Sequence, residues 1–230
     1  MKWKGKAAMD KMVRIRLSGL GGQGVVTAAH LLGGAAVREG RQAAVNPFFG
    51  AEKRLAPAES YVRIGSEPIH ERGEILAPDV IMIFHPHVVT QGKCYTMPFF
   101  SGLRPGGTIV VNSDGPLPLR LKEVDALARL EAELYHLPAT QIAMEIGGTA
   151  LSTNIAMLGG LLGVMPLVSL ESLKESLAER FGGGKFVASA TTAALDDALK
   201  SKFAQLTQLV EKNMAVVTQA VGAPRRQLWA

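Results

Sequence analysis

The stretch SGLGGQG, residues 18–24, constrains this chain more than any other. Its glycines at positions 19, 21 and 24 stand between two segments of different periodicity. Before it, VRIRL alternates apolar residues with arginines. After it, VVTAAHLLGGAAVREG repeats apolar residues at helical spacing, with Gly40 as its stop. A strand that turns through such a loop straight into a helix is the opening unit of nucleotide-type α/β folds. Each glycine has a physical purpose there: Gly19 permits the tight turn, Gly21 lets main chain approach an anion, and Gly24 allows close helix–strand packing. Gly22 and Gln23 complete the loop, and the helix beyond it turns free N–H groups toward negative charge.

Further along, RQAAVNPFF, ESYVRI, DVIMIF and GGTIVVNS read as strands bounded by turn residues. Strands separated by helical patterns predict an α/β, Rossmann-like, mostly parallel sheet with helices on both faces. From residue 136 the pattern becomes helical, through PATQIAMEIGG, STNIAMLGGLLGV, SLESLKESLAERFGGG and a long segment over 191–221. In the third of these, Leu170, Leu173, Leu177 and Phe181 line one face, Ser169 caps the start and Gly182 ends it. The expected organisation is a flexible basic extension over 1–12, a single domain over 13–221 with a helical C-terminal part, and a tail over 222–230.

The net charge of +5 raises the question of nucleic acid, and its location answers it. Of the 25 basic residues, Lys2, Lys4, Lys6, Lys11, Arg14 and Arg16 lie in the first sixteen positions. Of the 20 acidic residues only Asp10 does, so 19 of each sign remain elsewhere. A solvated N-terminal arm therefore explains the charge, and no nucleic-acid partner is expected. Cys94 is the only cysteine, which excludes an intrachain disulfide or a Cys-ligated iron–sulfur cluster held by this chain alone. The residues 146–170 carry no charge, but glycines and Pro166 interrupt them, and the longest apolar run falls short of the ~20 residues of a membrane span. They read as a buried helix at a packed interface, in a cytoplasmic protein.

A dinucleotide site makes a second demand, an Asp or Glu roughly 20 residues beyond the loop at the end of the second strand. Asn46, Pro47, Phe48 and Phe49 fill that position, and the first acid after them is Glu52. A stand-alone NADP- or flavin-binding redox protein stays open as an alternative, as does a scaffold whose loop binds no ligand. Arg54 is the candidate anion clamp, because a guanidinium donates paired hydrogen bonds to a phosphate or carboxylate. His85 and His87 share one side of an extended segment and suit a polar interface; no metal-ligand spacing accompanies them, so no metal site is expected. Asn154, polar within an apolar helix, needs partners from a neighbouring subunit, the glycine loop or a local carbonyl.

The runs GLGGQGVVTAAHLLGGAAVREG and NPFFGAEKRLAPAESYVRIGSEPI, with TNIAMLGGLLG and EKNMAVVTQA later, resemble the gamma subunit of the pyruvate/2-oxoacid:ferredoxin oxidoreductases over about residues 13–221. The resemblance implies a thiamine-diphosphate-dependent complex that decarboxylates a 2-oxoacid oxidatively, passes electrons to ferredoxin and forms an acyl-CoA. It implies alpha, beta and delta partners that hold thiamine diphosphate, Mg and the [4Fe–4S] clusters. The gamma subunit itself is not catalytic alone and lies on the coenzyme A side. On this reading Gly19, Gly21, Gly22, Gln23, Gly24 and Arg54 form the anion-facing site. Asn46, Phe49, Glu52 and Asn154 face partner chains. One departure is Leu55, where the family commonly has glycine after the arginine.

Overall fold

Strand β1 (Met12–Leu20) carries the glycine turn at its end and runs through a sheet of order β2-β3-β1-β4-β5-β6-β7. The computed structural model describes residues 12–49, 56–182 and 193–228, with Phe49 and residues 193–203 described by backbone alone. The other strands are β2 (Gln42–Phe49), β3 (Pro57–Gly65), β4 (Val80–Ile83), β5 (Thr108–Asn112), β6 (Glu133–Leu137) and β7 (Arg225–Gln227). Neighbours β1, β4, β5 and β6 are parallel, whereas β3 runs antiparallel to both β1 and β2. Only seven residues separate β2 from β3, too few for the long crossover a parallel partner would need, so these two pair antiparallel.

The helices are α1 (Val25–Arg38), α2 (His87–Thr90), α3 (Leu121–Arg129), α4 (Ala139–Gly147), α5 (Thr153–Val164), α6 (Leu170–Gly182) and α7 (Ala193–Val221). They divide unequally between the two faces. Val13, Ile15 and Leu17 of β1 share one core with Ala28 and Leu32 of α1, Ile142 of α4, Ile155 and Leu158 of α5, Leu173 of α6 and Val217 of α7. The opposite face buries Ile81, Ile83, Ile109 and Val111 beneath Val88 of α2, Leu127 of α3 and the loop carrying Phe99, Phe100 and Leu103. The helical C-terminal part thus belongs to the core of the same sheet. Leu173 and Leu177 sit fully buried on α6, while Ser169 Oγ accepts the Ser172 N–H at 3.1 Å and so caps the helix as expected.

Four findings correct or extend the sequence reading. Within the charge-free segment, α5 is covered by the chain itself: a Cβ on Gly159 would lie 2.5 Å from Val217 O, so α5 and α7 meet backbone to backbone. Ile146 and Leu151, ahead of α5, stay exposed. Arg14 and Arg16, counted with the solvated arm, are strand residues, and Arg16 is only 1% exposed. Residues 225–227, expected within a tail, pair antiparallel with β6 as an edge strand. Strand β6 and helix α3 were not anticipated, although ELYHL alternates as a strand should. Among the described residues, no helix is long and apolar enough to cross a membrane.

Candidate functional site

In open α/β sheets a ligand crevice forms where neighbouring parallel strands send their connections in opposite directions. Here that point lies between β1, which leads by α1 to β2, and β4, whose chain goes on to β5. At the carboxyl end of β1 stands the glycine turn; at that of β4 stands His85-Pro86-His87. Phe84 N–H donates to Ser18 O at 2.8 Å, holding the two ends side by side.

The turn is built from within. Gln23 N–H donates to Leu20 O at 3.1 Å, and Leu20 N–H donates to Gln23 Oε1 at 2.9 Å, so the side chain of Gln23 closes its own loop. Gly22 has φ +92° with open space where a Cβ would stand. Gly24 has φ +72° and caps α1, and a Cβ there would meet Asn154 Cγ at 2.8 Å. Gly19 is the residue packed close to the helix: its Cβ would meet Val25 Cγ2 at 2.7 Å and Phe84 Cβ at 3.0 Å. The packing expected of Gly24 thus belongs to Gly19, while Gly24 supplies the left-handed backbone.

Gly21 departs from its expected part. Its N–H donates to Ala56 O at 2.8 Å, because β3 and not β2 lies beside β1. The strand end that would carry a ribose-binding acid in a dinucleotide fold is therefore displaced one strand outward. The amides left without an intrahelical acceptor belong to the first turn of α1, after Gly24.

Asn154 is 5% exposed and lies beneath the turn, inside the chain rather than against a partner. Its Oδ1 accepts Ile155 N–H at 2.9 Å, and its Nδ2 makes a long 3.4 Å contact to Gly24 O. Asn46 on β2 is half-buried, with Oδ1 shielded from solvent and unpaired among the described residues. Arg54 and Glu52, like Leu55, lie outside the described residues, as does the side chain of Phe49.

The histidines are not in an extended segment: His87 opens the single turn of α2. His85 Nδ1 accepts His87 N–H at 3.1 Å, and the rings meet edge to face at 4.3 Å. Burial, then the neighbouring His87 and Lys93, hold the His85 imidazole below its usual range, which favours the neutral ring. Further along the crevice, Asn112 Nδ2 donates to Phe84 O and to Thr140 Oγ1, and Asn112 Oδ1 accepts Thr140 N–H, fastening β5 to α4. Among the described residues, no cluster of three or more His, Cys, Asp or Glu is placed to hold a metal.

A buried polar group beneath β1 and β3 escaped the motif reading. Ser18 Oγ and Tyr61 OH donate to the two oxygens of Glu59 at 3.2 and 2.7 Å, all within the core. Arg16 donates to Phe99 O and Ser101 O at 2.7 and 3.1 Å. Burial depresses the Arg16 guanidinium and pushes the Tyr61 phenol up. The signal was in the sequence: alternate residues of VRIRLS and ESYVRI are polar, which puts Arg14, Arg16 and Ser18 opposite Arg63, Tyr61 and Glu59. This face is a polar core, closed by the loop around Phe99.

Fold and turn define a Rossmann-like α/β protein whose glycine turn stands at the strand-order switch point between β1 and β4, without the ribose anchor of a dinucleotide site. The sequence profile of the pyruvate ferredoxin/flavodoxin oxidoreductase family matches residues 14–196, and the chain belongs to that family. Among its relatives is the pyruvate/ketoisovalerate oxidoreductases common subunit gamma of Thermococcus kodakarensis, 38% identical over 174 residues, covering 75% of this chain and 88% of that one. Another is pyruvate synthase subunit PorC of Methanothermobacter marburgensis, 36% identical over 172 residues, with 75% and 88% covered. In fold, the pyruvate oxidoreductase subunit PORC of Thermotoga maritima superposes with a TM-score of 0.68 at 20% identity, covering 95% of this chain and 100% of that one. The 2-oxoglutarate:ferredoxin oxidoreductase of Magnetococcus marinus, solved with 2-oxoglutarate, coenzyme A and succinyl-CoA, gives 0.62 at 22% identity, covering 96% of this chain and 32% of that longer one.

Proposed function

We propose that this chain is the gamma subunit of a pyruvate-type 2-oxoacid:ferredoxin oxidoreductase and supplies part of the coenzyme A side of its site. Alpha, beta and delta subunits, or fused equivalents, are its partners, in the cytoplasm. Thiamine diphosphate, Mg and the [4Fe–4S] clusters belong to those partners. With a single cysteine this chain has no Cys donor set for a cluster. The complex would decarboxylate a 2-oxoacid, pass electrons to ferredoxin and form an acyl-CoA.

The observation that carries this reading is the capped, self-closed turn in front of α1. Gln23 and Asn154 fix its shape, while Gly22 leaves the space above it open. The first N–H groups of α1 then face the crevice, where a phosphate or carboxylate gains from both donors and helix dipole. Arg54 would close on the same anion from the neighbouring loop. Asn46, Phe49 and Glu52 would meet partner chains.

A scaffold reading is favoured by one specific observation, the internal use of Gly21 and Leu20 N–H groups. Reconstitution separates the two. Leaving this chain out of the assembled enzyme removes acyl-CoA formation on either reading. Only on the first does a variant of the turn that still assembles lose affinity for coenzyme A while keeping affinity for the 2-oxoacid. Titration of the isolated chain with NADP or flavin tests the remaining alternative, which requires micromolar binding.

A further inference from the structure

The corner after β4 leans on a side chain that titrates near neutrality. Helix α2 is a single turn, and an isolated turn does not persist by itself. Val88 anchors it to the sheet by burial, while its backbone bonds converge on the residue before. His85 Nδ1 accepts His87 N–H at 3.1 Å, and His87 O accepts Gln91 N–H at 3.0 Å and Lys93 N–H at 3.2 Å. Cys94 follows, half-buried, with Sγ 3.1 Å from Thr96 O. Beyond Met97 the chain is fixed again, because Arg16 donates to Phe99 O and Ser101 O. The stretch 87–97 therefore lies between two side-chain anchors, an imidazole at its start and a buried guanidinium past its end.

We propose that His85 is an acid-sensitive latch: its neutral ring fastens the start of α2 and the loop through Met97, and its protonation loosens them. A backbone N–H can only donate, so the ring nitrogen facing it carries a lone pair and the proton of the neutral ring sits on Nε2. An imidazolium bears N–H at both nitrogens and would set donor against donor at this contact. It would also meet like charge. His87 of α2 packs its ring edge to face at 4.3 Å, and Lys93 of the loop acts in the same sense. On the other sides of the corner, Gly19 of the glycine turn packs against Phe84, and Asn112 of β5 donates to Phe84 O; neither carries charge. Burial and these neighbours keep the ring neutral below its ordinary range, so the latch opens only as pH falls under about 6.5.

The full-length protein supplies the test, with Cys94, the only cysteine, as reporter of the loop. Long-range proton–nitrogen NMR spectra at pH 7.5 should show His85 with its proton on Nε2 and a bare Nδ1, identified by their loss in His85→Asn. Asparagine keeps an acceptor for the N–H two residues on, without a titrating ring. Cys94 is labelled with a disulfide reagent active in acid, and the rate in the unmodified protein is divided by that in His85→Asn at the same pH, which cancels the thiolate fraction. The ratio should be close to unity at pH 7.5 and rise about threefold or more at pH 5.5. His85→Ala offers no acceptor and should already label faster than the unmodified protein at pH 7.5, with unchanged circular dichroism. His30→Gln, on α1, should keep the acid response whole. A ring protonated on Nδ1 at pH 7.5 overturns the proposal. So does a ratio that stays constant between the two pH values, His85→Ala labelling at the unmodified rate at pH 7.5, or loss of the acid response in His30→Gln.

Discussion

Asn154 and Gly24, 130 residues apart in the chain, touch beneath the glycine turn: the carboxamide of one fills the space that a side chain on the other would need. The shape of the turn is therefore set from below by α5 as well as by its own glycines. A side chain at Gly24 meets both a left-handed backbone and an occupied neighbour. We expect Gly24→Ala to cost about 3 kcal/mol or more in urea unfolding. Gly22 has the left-handed backbone without the neighbour, so Gly22→Ala is expected to cost about 1–2 kcal/mol.

Gln23 separates the structural part of the turn from its charge. Gln23→Ala removes the acceptor of the Leu20 N–H and should cost about 1–2 kcal/mol of stability. Gln23→Glu keeps an acceptor at the same reach, so its unfolding curve should stay close to that of the unmodified protein. Its added negative charge before α1 should weaken the binding of any anion there.

The buried Arg16 and Glu59 predict a coupled pair. Arg16→Met strips two buried carbonyls of their donors and removes the positive charge whose field reaches Glu59, an expected loss of about 2–4 kcal/mol. Adding Glu59→Gln should restore part of that loss, so the two effects fall short of additivity in a double-mutant cycle.

Acid should weaken the fold in a window set by histidines. Burial is the first cause that lowers the pKa of His85 and His136 from 6.5. The unfolded chain then binds protons more readily than the folded one, so stability is full above the unfolded value and falls as pH drops from about 6.5 toward the depressed folded values. Urea unfolding at pH 7.5 and 5.5 measures the loss. His85→Asn offers an acceptor to the His87 N–H without a titrating ring, and should shrink the difference between the two pH values.

Much of the framework was legible in the residues. VRIRL, ESYVRI, DVIMIF and the capped SLESLKESLAERFG carry their periodicities openly, and each forms the expected element. Strand β3 beside β1 could not be read, because period-2 alternation names a strand but not its neighbour. That one placement redirects Gly21 N–H to Ala56 and moves the ribose position away. The burial of α5 by α7 was hidden for a similar reason: an uncharged helix needs cover, but its composition does not say whose. Arg16 was misplaced by averaging charge over a segment, where the alternation of β1 already put it on the face opposite Ile15 and Leu17. Asn154 was legible as a buried polar residue, and only packing identified Gly24 as its partner.

The central claim is that this turn serves the coenzyme A side of a shared site, and steady-state kinetics of the reconstituted complex carrying Gln23→Glu test it most directly. The account predicts a raised KM for coenzyme A, an unchanged KM for the 2-oxoacid and an intact complex. An assembled enzyme whose two KM values both match those of the unmodified one would contradict it.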